Sequence, residues 1–166
     1  KMMERFKIEK LNCDFIRTDG KNPPGLYSIE INEKGERSFS YWRDQSPTKN
    51  IFLGSKGKHL LDNISNSDIF YYSGISAGIL DETQKQQLIK VGATASICAF
   101  DFNFRHQLHY DKNRSQSLFI EINNYVNINF VSYDDVKDLF KIKKPSEIFN
   151  LLNNEKNLIL LRYKNS

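Results

Sequence analysis

Hydrophobic and polar positions alternate with a period of two from Tyr27 to Ile31 and again from Arg37 to Arg43, and Glu33-Lys34-Gly35 separates the two runs. That spacing predicts a β-hairpin, because successive strand side chains point to opposite faces. Tyr27, Ile29 and Ile31 share one face of the first arm, and Arg37, Phe39, Tyr41 and Arg43 share one face of the second. Gly35 suits the left-handed position of a three-residue hairpin loop. With Asn32 opposite Glu36, Tyr27 stands opposite Tyr41.

Beyond the hairpin, short apolar runs alternate with amphipathic segments. Strands are predicted at Ile69 to Tyr72, Ser96 to Phe100, Ile128 to Val131 and Leu158 to Leu161. Helices are predicted over Asp81 to Val91, Ser115 to Tyr125, Tyr133 to Phe140 and Pro145 to Asn153. Acidic pairs at Asp81-Glu82 and Asp134-Asp135 sit where helix N-termini are expected and oppose the positive end of the dipole. Such alternation predicts an α/β fold with a mostly parallel sheet covered by helices on both faces. The expected organisation is a core formed by residues 1–22 and 53–166, with a small β-sheet at 23–52. Met3, Phe6, Ile8 and Leu11 open the chain at helical spacing with no capping residue ahead of them, and an apolar strand closes it. Both ends therefore read as interrupted, as in the central part of a longer fold.

The bulk numbers narrow the partners. Lysine and arginine total 24 against 20 acidic residues, a formal charge of +4, and no run of five or six like charges appears. This balance suits a small anionic ligand as well as nucleic acid and does not by itself decide between them or require either; the nucleic-acid reading lacks a clustered basic stripe or an RNA-recognition signature. No apolar run approaches the ~20 residues of a membrane span. Cys13 and Cys98 are far apart in a chain with no signal-like segment, so reduced thiols in a cytoplasmic protein are expected. His59, His106 and His109 lack a third clustered ligand and read as solvated surface histidines, so no metal site is expected from them.

In parallel sheets, ligands bind beyond the carboxyl ends of the strands. Ser73-Gly74, Asp101 to Arg105, Ser132 and Arg162 fall at those ends. Singly, each is ordinary turn chemistry. Asp101, Asn103 and Arg105 within five residues are harder to explain that way, and Arg105 adds a second guanidinium fork to that of Arg43. Tyr27 and Tyr41 on the hairpin can flank a polar ligand, although the same pattern fits an aromatic strand packed on a neighbour.

Four stretches also carry a family resemblance: Pro24-Gly25-Leu26-Tyr27, Gly35 to Arg43, Tyr72-Ser73-Gly74-Ile75-Ser76, and Asp101-Phe102-Asn103-Phe104-Arg105. In this order and spacing they resemble the middle of the 2-keto-3-deoxygluconate kinases, sugar-acid kinases of the ribokinase-like (PfkB-type) superfamily. The resemblance implies ATP-dependent phosphorylation of a sugar acid with Mg2+, a hairpin that forms the substrate lid, and a homodimer joined through it. It implies that Tyr27, Tyr41 and Arg43 contact the sugar acid. Arg105 is implied to serve both substrate and phosphates, and Asn103, Phe104 and Ser132 to edge the nucleotide site. Ser132 and Asp135 fall where relatives carry Asn-x-x-Glu. Asp135 then reads either as an acceptor for metal-bound water or as a helix-start aspartate.

The family's glycine-rich anion hole and its catalytic aspartate are not found, and no glycine follows Gly92. Positioned proton removal is worth roughly 10²–10⁴ in rate. These 166 residues alone are therefore expected to phosphorylate nothing at a useful rate. The alternative is a non-catalytic ligand-binding or dimerisation module built on the same residues.

Overall fold

The structure, a computed structural model, describes residues 2–163. The chain divides into two compact units, one up to Leu60 and one from Leu61.

The first unit opens with α1 (Met2–Ile8) and carries the hairpin of β1 (Leu26–Ile31) and β2 (Arg37–Trp42), then a 3₁₀ turn at Pro47–Asn50. The hairpin register pairs Tyr27 with Tyr41 and Ile31 with Arg37, as the alternation predicts. The turn is organised by Asn32. Its side-chain oxygen accepts the backbone N–H groups of Lys34 (3.0 Å) and Glu36 (2.9 Å), and Gly35 takes φ +77°. Almost every hairpin side chain is exposed, including Leu26, Ile31 and Trp42.

The division between the units falls within α2 (Gly54–Ser65). From Leu61 onward, four parallel strands lie in the order β3 (Ile69–Ser73), β4 (Ile97–Asp101), β5 (Ile128–Ser132) and β6 (Leu158–Arg162). Their bounds agree with the predicted strands to within a residue. Tyr72 pairs with Phe100, Phe100 with Asn129 and Asn129 with Ile159, so one row crosses the whole sheet.

The connections hold α3 (Gly74–Ile79), α4 (Glu82–Gly92), α5 (Lys112–Asn123), α6 (Tyr133–Phe140) and α7 (Ser146–Leu151). Asp81 and Asp111 act as N-caps, accepting the N–H groups of Gln84 (2.8 Å) and Arg114 (3.0 Å) and satisfying donors that a helix start leaves orphaned. The Asp111 cap starts α5 three residues before its apolar pattern begins. Two helices, α2 and α3, carried no sequence expectation.

The core is aromatic. Phe100, Phe102 and Phe119 are fully buried with ring centroids 5.1–5.6 Å apart. Val136, Leu139, Ile148 and Leu152 extend it. At the start of β6, Asn157 donates to the Asn123 side-chain oxygen (2.9 Å), which also receives Asn129 (2.9 Å). This buried amide cluster gives the strand a fixed origin. Cys98 is also buried and free, and burial pushes its thiol up to about 11; Cys13 is free as well. The opposite sheet face, where the alternation predicts a second layer of helices, is instead open among the described residues: Ile69, Tyr71, Leu158 and Leu160 remain exposed. No helix among the described residues is long and apolar enough to cross a membrane.

Candidate functional site

The sequence-predicted residues fall into two sets, one in each unit. The first set is the hairpin face. Tyr27 lies 6.3 Å from Phe39 and 6.2 Å from Tyr41 between ring centroids, and Phe39 stacks on Tyr41 at 6.1 Å. The Arg43 guanidinium stands 4.3 Å above the Tyr41 ring, within cation–π range. Gly25 sets the far end of this face, since a Cβ there would come within 3.1 Å of the Arg43 Cβ. Tyr27, Tyr41 and Arg43 thus form one continuous surface. Tyr27 is well exposed on it, so its hydroxyl and ring edge are open to a ligand.

The second set lies beyond the carboxyl ends of β4, β5 and β6. There Asp101, Asn103, Arg105, Ser132, Asp135 and Arg162 line an open cleft of about 610 Å³, floored by Phe130, Val131, Leu160 and Leu161. Parallel strands ending in register bring residues from three chain segments to one rim. Asn103 sits in the left-handed region at φ 33°, a conformation asparagine tolerates better than most residues, and this turns the chain out of β4.

Arg105 and Asp135 face each other at 3.8 Å, and the arginine also donates to the Phe104 carbonyl at 2.8 Å. Arg162 approaches the Ser132 hydroxyl at 3.5 Å. Ser132 occupies the N-cap of α6 but makes no side-chain cap bond, and its hydroxyl lies on the cleft rim. Asp135 is half-buried: burial holds its carboxyl above the ordinary range, with Asp101 adding to the shift, while Arg105 and Arg162 oppose it. A carboxylate on a solvated helix start would not be held up in this way. The cleft therefore combines two guanidinium groups with two carboxylates, a donor-rich rim that can receive an anion and carry a cation's water.

Phe104 contributes through its backbone. Its ring is buried against His106 (4.7 Å), His109 (5.3 Å) and Phe119 (5.9 Å), while its carbonyl accepts from Arg105 at 2.8 Å.

His109 corrects the sequence reading. It is 8% exposed, not a surface histidine, and its Nε2 lies 3.0 Å from the Gly74 carbonyl. Burial lowers its pKa below the usual imidazole value. Tyr71 also went unassigned, although its hydroxyl donates to Asp101 at 3.1 Å. The signal was available: with β3 and β4 parallel, the period of two puts Tyr71 and Asp101 on one face.

The pfkB family carbohydrate kinase model matches residues 1–160. The 2-dehydro-3-deoxygluconokinase of Haemophilus influenzae is 27% identical over 155 residues, which cover 91% of this chain and 49% of that protein. The enzyme of the same name from Escherichia coli K12 is 28% identical over 138 residues, 81% of this chain and 45% of that one. In fold, the chain is similar to a Vibrio cholerae O395 fructokinase solved in fructose, ADP and calcium ion bound form, with a TM-score of 0.73 at 15% identity over 96% of this chain and 51% of that chain. The chain spans about half the length of the curated relatives it matches. With the match running from residue 1 to residue 160, the chain belongs to the pfkB family of carbohydrate kinases.

Proposed function

We propose that this chain is the substrate-holding and central part of an ATP-dependent kinase for 2-keto-3-deoxygluconate (2-dehydro-3-deoxygluconate) or a closely related sugar acid. The observation that carries the reading is the strand-end cleft, where Arg105 and Arg162 meet Asp135, Ser132 and Asn103. The printed activity of the two bacterial relatives supplies the substrate class.

The hairpin residues Tyr27, Tyr41 and Arg43 hold the sugar acid. Tyrosine hydroxyls bond its hydroxyl groups, and the Arg43 fork suits its carboxylate. Arg105 stabilises charge on the phosphoryl group without bonding to it covalently. Asn103, the Phe104 backbone and Ser132 edge the nucleotide, and Asp135 accepts from water on Mg2+. The cleft fits these groups: its arginines match polyphosphate oxygens, and its half-buried carboxylate matches a hydrated divalent cation. When bound, ATP supplies the phosphoryl group and Mg2+ offsets its charge. A dimer forms through the hairpin, whose exposed Leu26 and Trp42 give it an apolar contact.

Calorimetric titration of the purified chain with 2-keto-3-deoxygluconate and with Mg2+-ATP tests the reading. Saturable sugar-acid binding that Arg43→Ala weakens about tenfold or more, and nucleotide binding that Arg105→Ala weakens similarly, are expected from loss of charge-assisted bonds worth ~1.5–3 kcal/mol. A chain that binds neither ligand, or variants that bind as well as the parent, overturns it.

A further inference from the structure

We propose that His109 is a positioning residue for the strand-end cleft, clamping the connection between β4 and α5 so that the Phe104 backbone presents Arg105 to Asp135. The inference rests on the reading of Arg105 as the phosphate-facing group.

The clamp is built from three contacts. A carbonyl oxygen only accepts, so the 3.0 Å approach of His109 Nε2 to the Gly74 carbonyl means that Nε2 carries the proton. This fixes the tautomer and ties the connection to the first turn of α3. The same ring stacks on Phe104 at 5.3 Å and 25°, and meets Phe119 edge-on at 5.2 Å.

The surface it closes on is shaped for it. A Cβ at Gly78 would stand 2.8 Å from the Leu108 Cβ and 2.9 Å from His109 Nε2, and one at Gly74 would fall 2.2 Å from the Phe102 carbonyl oxygen. Glycines at positions 74 and 78, on one face of a helix, therefore let the connection lie directly against α3.

What this packing fixes is the residue that matters for the cleft. Phe104 is the ring under the clamp, and it is also the residue whose carbonyl accepts from Arg105, which stands 3.8 Å from Asp135. The neighbouring Asn103 is held at φ 33°, a conformation that persists when its surroundings fix it. A phenylalanine at position 109 would fill the same space, so packing alone does not call for a histidine; the donor to Gly74 does.

Protonation of the ring is the natural way to perturb the clamp, because it places a charge among the Phe104 and Phe119 rings while Nε2–H keeps its Gly74 acceptor. Lys85 on α4 and His106 on the same connection both disfavour the second proton, while the Gly74 carbonyl on α3 favours it.

The test is nuclear magnetic resonance on the full chain, following the Arg105 Nε–H and the Phe104 amide from pH 7.5 to 5 without ligand. In the parent, both signals are expected to move with the midpoint of the His109 ring titration. In His109→Gln, which keeps a donor at the same reach, that step disappears and the neutral-pH positions are retained. In His109→Phe, both signals are displaced at every pH, and Mg2+-ATP affinity falls about tenfold, recovering in the glutamine variant. Asp135→Asn identifies any step that belongs to the carboxylate. A His109 ring that titrates while Arg105 and Phe104 stay still overturns the proposal, as does a phenylalanine variant with parent-like signals. If that variant does not fold, the parent and glutamine titrations decide alone. Signals that follow His109 in a chain that binds no ATP keep the clamp and remove the nucleotide reading.

Discussion

The hairpin and the parallel sheet reach order by opposite routes. In the hairpin, local chemistry sets the register: the Asn32 side chain bonds Lys34 and Glu36, Gly35 turns left-handed, and the arms pair from there. Yet it buries almost nothing of its own, and a lone two-stranded ribbon is marginal in water. Among the described residues of the sheet unit, no strand pairs with its neighbour through a short turn. Order comes from a buried aromatic cluster that collects residues distant in sequence. One region is specified locally and stabilised weakly; the other is specified only when it packs.

The sharpest way to break this contrast is truncation of equivalent rings. Phe119→Ala is expected to cost about 3–5 kcal/mol, because a fully buried ring in contact with Phe100, Phe102, Phe104 and His109 leaves a cavity. Phe39→Ala, at 43% exposed, is expected to cost about 1 kcal/mol or less, in line with a cross-strand pair. Urea denaturation followed by circular dichroism measures both. Equal losses would mean that the hairpin is buttressed in a way its exposure does not reveal.

Glycine replacements sharpen the same point. Gly74→Ala drives a methyl into the Phe102 carbonyl and the Phe119 ring, an overpacking worth about 1–3 kcal/mol or more. Gly35→Ala meets no neighbour and pays only for its left-handed backbone, about 1–2 kcal/mol. Thermal melts of the two variants should fall in that order.

Acid affects the sheet unit through His109. Its folded pKa is lowered by burial, so the unfolded chain takes up the proton first. Stability is therefore expected to fall as pH drops below the ordinary imidazole value, ~6.5, and to level off once the buried ring itself protonates. Asp135 acts with the opposite sign: its folded pKa is raised, so acidification through the window just above the usual carboxylate range favours the folded form. His109→Gln should flatten the upper limb and leave the lower one. The smallest effect is expected from Arg43→Ala, whose cation–π contact with Tyr41 contributes about 0.5–1 kcal/mol at an exposed site.

Legibility in the sequence follows the same division. The hairpin register and its turn could be read residue by residue, because period two and turn chemistry are local signals. The four core strands were legible from β-branched and aromatic runs. Both unassigned helices are rich in residues that favour turns. Gly54-Ser55-Lys56-Gly57 opens α2, and Gly74 and Gly78 lie in α3, where their value is close approach and not helix propensity. The cleft was legible as a set of strand ends, but not the Arg105–Asp135 pairing or the burial of His109. Both depend on how the β4–α5 connection folds back, and no period in the sequence encodes that.

The two thiols give each unit its own chemical clock. Cys13 lies partly open in the first unit, whereas Cys98 is sealed within β4 and resists ionisation at neutral pH. Alkylation with iodoacetamide should mark the first at the rate of an accessible thiol and the second only at the rate at which the sheet opens. A single mass spectrum over time would thus record how often the parallel core breathes.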